Sequence, residues 1–178
     1  YRIELATGRN NLVFPNGVGT QNIKGEILYF DKESRIKITD QTGNLTLKQL
    51  TEKSTVNFED LFPALSNAGE HYALTLPATV DSGIFAGMGS GGSKVAIFNR
   101  NAAKKAEFTG FIQAAWMPNG GLIVAGEGGA NRGMFIIDAN FKTIKKLVDG
   151  FDTAQMPAVS PDGKQVAFVN NGEIWTIG

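Results

Sequence analysis

The chain has 178 residues, of which 42% are hydrophobic and 19% charged, a composition typical of a folded protein rather than a disordered one. Its 17 basic and 17 acidic residues cancel, which argues against nucleic-acid binding because phosphates attract an excess of positive charge. The sequence has no cysteine, so disulfides and thiolate chemistry are excluded, and no apolar run approaches the roughly 18 residues of a membrane span.

Glycine is frequent, at 22 residues, and its spread along the chain predicts many tight turns between short strands. Residues 1–15 are predicted to form two outer strands of one sheet. Residues 16–51 supply most of a second sheet, with strands predicted at 27–30, 36–39 and 45–50. Short apolar runs separated by turn residues are typical of an all-β chain.

Three later segments align without gaps, at 63–69 (PALSNAG), 114–120 (AAWMPNG) and 157–163 (PAVSPDG). An apolar run follows each of them, and a further apolar strand then starts at Val95, Met134 and Ile174. These starting points lie about 40 residues apart, which is the length of one four-stranded blade of a β-propeller. The repeat therefore predicts successive four-stranded antiparallel blades.

Residues 160–163, Ser-Pro-Asp-Gly, have the composition of a tight turn within one repeat. Proline presets φ, aspartate bonds back to the backbone, and glycine accepts positive φ, so this segment favours a tight turn between the first two strands of a blade. The apolar run of each second strand predicts burial on both faces, as expected where blade packs on blade. The third and fourth strands are predicted to alternate more, because they see more solvent.

Residues 160–169 (SPDGKQVAFV), followed by Ile174 and Trp175, resemble the bacterial propeller repeat of TolB-type propellers and of propellers attached to some serine peptidases. Residues 1–8 resemble the third strand and following turn of the same WD-like repeat, and the match at 67–69 and 118–120 is degraded. The resemblance implies an all-β propeller and a periplasmic or otherwise extracytoplasmic bacterial location. It indicates an architecture rather than an activity.

The predicted blade units are approximately 16–51, 62–110, 112–150 and 152–178, with 1–15 as outer strands of another blade. About four blades could close a small ring, near the lower limit for propellers. A partial propeller, cut from a ring of six to eight blades, is the favoured alternative. Open blade edges would then permit self-association.

Sequence motifs for catalysis or cofactor binding are incomplete. Gly87, Gly89 and Gly92 form a Gly-x-Gly-x-x-Gly pattern, but a strand rather than a helix follows it, so it predicts a loop and not a dinucleotide site. The lone histidine, His71, is thin support for a catalytic triad without a serine motif, and a metal site would need more ligands nearby. We therefore predict no catalytic residue, no metal site and no cofactor.

A binding face is predicted where loops from one end of the blades meet. The Gly-rich stretch 81–92, the loop 127–133 and the inter-blade segment 150–152 all connect strands at the same end. Aromatic, arginine and acidic residues are common at binding sites. The candidate binding residues are Phe85, Glu127, Asn131, Arg132, Phe151 and Asp152; ordinary polar loops remain the alternative.

The predicted function is a non-catalytic scaffold that binds a protein or peptide partner, and not nucleic acid, through this loop face. The alternative is a propeller segment that gates or orients a catalytic domain of peptidase or hydrolase type in a longer polypeptide. A third hypothesis is an enzyme that uses carboxylates at the channel mouth. No sequence motif brings such carboxylates together.

Overall fold

The computed structural model describes residues 2–4, 9–11, 18–21, 25–30, 36–39, 46–49, 63–76 and 92–178. Within these described residues the strands form five antiparallel sheets. A two-stranded sheet joins β1 (Arg2–Glu4) to β2 (Arg9–Asn11). The first blade has the strand order β3 (Val18–Gln21), β4 (Ile27–Phe30), β5 (Ile36–Thr39) and β6 (Thr46–Gln49).

Three further blades follow, and each keeps its strands in chain order. The second blade is β7 (Pro63–Leu65), β8 (His71–Leu76), β9 (Lys94–Asn99) and β10 (Lys104–Thr109). The third is β11 (Phe111–Trp116), β12 (Leu122–Gly126), β13 (Met134–Ile137) and β14 (Ile144–Lys146). The fourth is β15 (Gln155–Val159), β16 (Val166–Asn170) and β17 (Glu173–Ile177). The predicted fold class, an all-β propeller of four-stranded antiparallel blades, is confirmed.

Tight turns between the first two strands set the register of each blade. In the fourth blade Gly163 has φ 72°, a left-handed conformation that glycine adopts without strain. The Ser160 hydroxyl donates to the Asp162 carboxylate at 2.6 Å and accepts from the Gln165 N–H at 2.9 Å. This turn shows why the Ser-Pro-Asp-Gly segment ends one strand and begins the next.

Apolar side chains from neighbouring blades form the core. Between the second and third blades the buried cluster includes Val95, Ile97, Leu122 and Val124. Between the third and fourth blades a second cluster is built from Ile123, Ala125, Met134, Ala154, Val166 and Phe168. Alternate residues of β12 thus enter opposite clusters, which explains why its apolar run does not alternate with polar residues.

The fourth blade differs from the others at its outer edge. Among the described residues β17 pairs only with β16, and Ile174 is 81% exposed. The burial pattern of its second strand also differs from that of β12, because β16 alternates buried and half-buried positions whereas four of the five residues of β12 are buried. Within the described part of the chain, no helix is both long and apolar enough to cross a membrane.

Candidate functional site

The blades have two ends, named the lower face and the upper face. The lower face carries the hairpin turns β7–β8, β9–β10, β11–β12, β13–β14 and β15–β16. The upper face carries the β8–β9 and β12–β13 connections and the links between blades. In antiparallel blades successive connections alternate between the two ends, so the candidate residues of the loops 127–133 and 150–152 share the upper face.

The loop 127–133 is held close to the second blade. It contains a short 3-10 helix, Gly129–Asn131, and folds over Gly126, where an added Cβ would overlap the Asn131 carbonyl. The Glu127 N–H donates to the Gly110 carbonyl at 2.8 Å, and the Asn131 side-chain amide donates to the Thr109 carbonyl at 3.3 Å. Asn131 is therefore occupied in anchoring the loop.

Glu127 joins two neighbouring blades. One carboxylate oxygen accepts from the Ser93 N–H at 2.8 Å, and the other accepts from the Ser93 hydroxyl at 2.9 Å. Ser93 lies just before β9, so the contact ties the loop of the third blade to that of the second. Hydrogen bonds to an ionised acceptor are stronger than neutral ones. The structure thus gives Glu127 a role in positioning the upper-face loops.

Phe151 lies in an aromatic cluster at the start of the fourth blade. Its ring contacts Phe168 and Trp175 edge-on, with ring centroids 5.1 and 5.2 Å apart. Phe168 is fully buried, whereas Trp175 is 41% exposed. Phe151 is half-buried, so it links the core to an exposed aromatic surface. Trp175 belongs to the sequence repeat, but the sequence alone does not predict that it contacts Phe151.

Arg132 and Asp152 are exposed charged residues of this face, as are Glu127 and Asp149. Their loops adjoin, because a Cβ on Gly133 would lie 2.9 Å from the Phe151 carbonyl oxygen. Asp152 accepts from the Lys146 ammonium at a long 3.5 Å. Of the six candidates, five lie on loops that the structure brings to this face, and Phe85 lies outside the described residues.

The His, Asp and Glu side chains of the described residues form no group of three or more that could hold a metal ion. Burial lowers the pKa of His71, whose ring packs on Trp116 and Phe141 at the lower face. Burial alone would raise the pKa of Glu107, but its hydrogen bonds to two ammonium groups, Lys94 at 3.0 Å and Lys104 at 3.1 Å, lower it. Glu107 is thus a charged structural residue.

Comparison with known proteins identifies the architecture. No family model matches the sequence, and no curated protein matches it at the sequence level. TolB from Agrobacterium tumefaciens has a similar structure, with TM-score 0.64 and 16% identity over 90% of this chain and 57% of that chain. TolB from Acinetobacter baumannii gives TM-score 0.58 and 17% identity over 84% of this chain and 36% of that chain.

A third similar structure is that of KlAtg21 in complex with the coiled coil of AgAtg16, with TM-score 0.54 and 13% identity. The match covers 88% of this chain and 50% of that one. At such identities the likeness shows the fold alone: this chain is built as a β-propeller, and TolB-type propellers are among its structural neighbours. The chain spans about half of the A. tumefaciens protein and about a third of the A. baumannii one.

Proposed function

We propose that the protein is a non-catalytic scaffold whose upper face binds a protein or peptide partner. The observation that carries the proposal is the junction of the loops 127–133 and 150–152. The Glu127 carboxylate and the Asn131 amide fix the first loop, and Phe151 fixes the second. Arg132 and Asp152 extend from this fixed base into solvent.

A rigid base matters because ordering loops on association opposes binding. A surface that is already ordered loses less conformational entropy when a partner arrives. Arginine and tryptophan are the side chains that most often dominate binding energy at interfaces. Arg132 and the part-exposed Trp175 supply both types, since Arg132 precedes Gly133, which adjoins Phe151, and Trp175 contacts Phe151. Asp152 adds the opposite charge.

The comparison with KlAtg21 supports the class of partner, since that propeller is described in complex with a coiled coil. The resemblance of residues 160–169 to the bacterial TolB-type repeat supports a periplasmic location. The proposed ligand is therefore a protein or peptide partner.

Charge reversal at the exposed residues tests the proposal. The protein would be immobilised, incubated with a periplasmic extract of its source cell, and the captured proteins identified and quantified. Arg132→Glu and Asp152→Lys should each weaken capture of the same protein roughly tenfold, as expected for a lost charged contact at an interface. Phe151 is unsuitable for this test because it packs on Phe168.

Lys145→Glu provides a matched control, since Lys145 is exposed on the outer strand β14 and its neighbour Lys146, not Lys145 itself, pairs with Asp152. It should leave capture unchanged. If all three variants capture the partner as well as the unmodified protein, the upper-face proposal is wrong. If Lys145→Glu alone weakens capture, the binding surface lies on the outer strands instead.

A second candidate is a propeller that orients a catalytic domain in a longer polypeptide. It is favoured by the resemblance of residues 160–169 to the repeat of propellers attached to some serine peptidases. An immunoblot of the source cell against this segment distinguishes the candidates. A band near 19.1 kDa supports the scaffold alone, whereas a much larger band carrying a hydrolase domain supports the second candidate.

A further inference from the structure

An ion pair closes the lower face between the first and second blades. The Arg100 guanidinium donates to the Glu26 carboxylate at 2.9 Å and to the Gly69 carbonyl at 3.1 Å. Glu26 directly precedes β4, Gly69 lies in the β7–β8 turn, and Arg100 lies in the β9–β10 turn. An arginine of one blade thus reaches the acidic residue of the blade before it.

The next junction repeats these positions without the arginine. Glu70 directly precedes β8 as Glu26 precedes β4, and Gly120 in the β11–β12 turn has φ 87°, close to the 73° of Gly69. The residue equivalent to Arg100 is Ala139, in the β13–β14 turn. A Cβ on Gly120 would lie 3.7 Å from the Ala139 Cβ, so a methyl group stands where the earlier junction has a guanidinium.

The two outer turns confirm this alignment. In the second blade the Asn99 side-chain oxygen accepts from the Ala103 N–H at 3.0 Å. In the third blade the Asp138 carboxylate accepts from the Lys142 N–H at 2.8 Å. In both turns the residue three positions after this acceptor has positive φ: Ala102 at 61° and Phe141 at 59°.

A cavity of about 270 Å³ lies at this second junction, beside Ala139, the residue equivalent to Arg100. Its lining includes Glu70, His71, Trp116, Asn119, Ala139 and Phe141. The aromatic rings form one wall. The His71 ring stacks on Trp116 at 6.2 Å, and the Phe141 ring meets His71 edge-on at 5.3 Å. The cavity therefore combines one carboxylate with aromatic surface.

We propose that this cavity binds a guanidinium group supplied from outside, the arginine side chain of a peptide. Glu70 would take the role that Glu26 has toward Arg100, and the rings of Phe141 and His71 would pack against the planar cation. Arginine suits such a site because its guanidinium binds carboxylates with two parallel hydrogen bonds and stacks on aromatic rings.

Charge supports this ligand. Glu70 is the one acidic side chain among the described residues that line the cavity, and burial lowers the pKa of its neighbour His71, which disfavours a positive charge there. Lys105 acts on His71 electrostatically but does not line the cavity. In the part of the chain that the structure describes, the Glu70 carboxylate forms no ion pair, whereas Glu26 does.

The conformation of Phe141 is a second, independent observation. Positive φ is uncommon for a bulky residue and strains the backbone, and such strain clusters at ligand sites. The equivalent Ala102 has the same φ with a small side chain, so the turn itself does not require an aromatic ring. The Phe141 ring instead packs on His71 and Trp116 at the cavity wall.

The test measures binding of N-acetyl-argininamide to the whole chain by tryptophan fluorescence and by calorimetry. The chain has two tryptophans, and Trp175→Phe leaves Trp116 as the reporter beside the cavity. We expect saturable binding with a dissociation constant of about 1 mM. Glu70→Gln should weaken it about tenfold, because a hydrogen-bonded charge is lost. N-acetyl-citrullinamide has the same shape without the charge. The unmodified protein should bind it no more tightly than Glu70→Gln binds the arginine probe.

Ala139→Arg provides a second test. The new arginine should reach Glu70 as Arg100 reaches Glu26, so it should abolish binding of the probe and raise the melting temperature. In the Glu70→Gln background the same change should not raise it. Lys142→Ala, in the same turn but outside the cavity lining, is the matched control and should leave binding unchanged.

The opposite results would overturn the inference. One is that the unmodified protein binds the arginine and citrulline probes equally well, or binds the arginine probe without saturation. Another is that Glu70→Gln and Ala139→Arg bind the arginine probe as well as the unmodified protein does. Circular dichroism confirms that each variant is folded before binding is compared. Arg132→Glu, on the upper face, should not affect the probe, so failure here is distinguishable from failure of the proposed function.

Discussion

Replacing Glu127 by alanine removes both hydrogen bonds that this carboxylate accepts from Ser93. Each hydrogen bond to a charged group contributes about 1.5 kcal/mol to stability. Glu127 is exposed, and solvent screening reduces such contributions, so we expect the free energy of unfolding to fall by about 2 kcal/mol. Ser93→Ala removes only the hydroxyl donor and should lower it by about 1 kcal/mol.

Urea and thermal unfolding measure the effect. For a domain of this size, a loss of about 2 kcal/mol lowers the melting temperature by roughly 4–8 °C. Glu70→Gln is the matched control: it changes another exposed carboxylate and should stay within about 0.5 kcal/mol of the unmodified protein. If Glu127→Ala is as stable as this control while partner capture falls, Glu127 acts in binding and its structural assignment is wrong.

Four further predictions concern single positions. Gly126→Ala should destabilise the protein by roughly 3 kcal/mol or more in urea unfolding, because the new Cβ overlaps the Asn131 carbonyl. Tyr72→Phe should be neutral or stabilising by about 1 kcal/mol, since the buried hydroxyl has no hydrogen-bond partner among the described residues. Burial lowers the pKa of His71 below its usual 6.5, so on acidification the unfolded chain takes up a proton at a higher pH than the folded chain does. The free energy of unfolding should therefore fall as the pH drops from about 6.5 through the lower folded-state pKa. His71→Gln should remove this pH dependence. Ile174→Lys should reduce any self-association through the β17 edge, as measured by analytical ultracentrifugation.

The blade architecture was predictable because each strand is set by local pattern and turn chemistry. The apolar run at 122–125 predicted a strand buried on both faces, and β12 is confirmed as such because blades cover it on either side. The alternation expected for third strands is wrong for β9, where five of six residues are buried. Val95 and Ile97 pack toward the third blade, and Phe98 stacks on Tyr72, so both faces of β9 are covered.

The details of the candidate sites were not predictable, because they depend on contacts between residues far apart in sequence. Ser93 and Glu127 are 34 positions apart, and Glu26 and Arg100 are 74 apart. No local pattern sets which side chains meet when one blade packs on the next. The sequence identified the loop 127–133 as a candidate, whereas only the structure separates its anchoring residues from the exposed Arg132.

Hydrogen–deuterium exchange of the protein with its captured partner tests the central claim most directly. Binding at the upper face should slow exchange in the loops 127–133 and 149–153 while leaving the lower-face turns at 66–70 and 138–142 unchanged. Slower exchange confined to the lower-face turns or to the outer strand β14, with the two loops unaffected, would contradict the account.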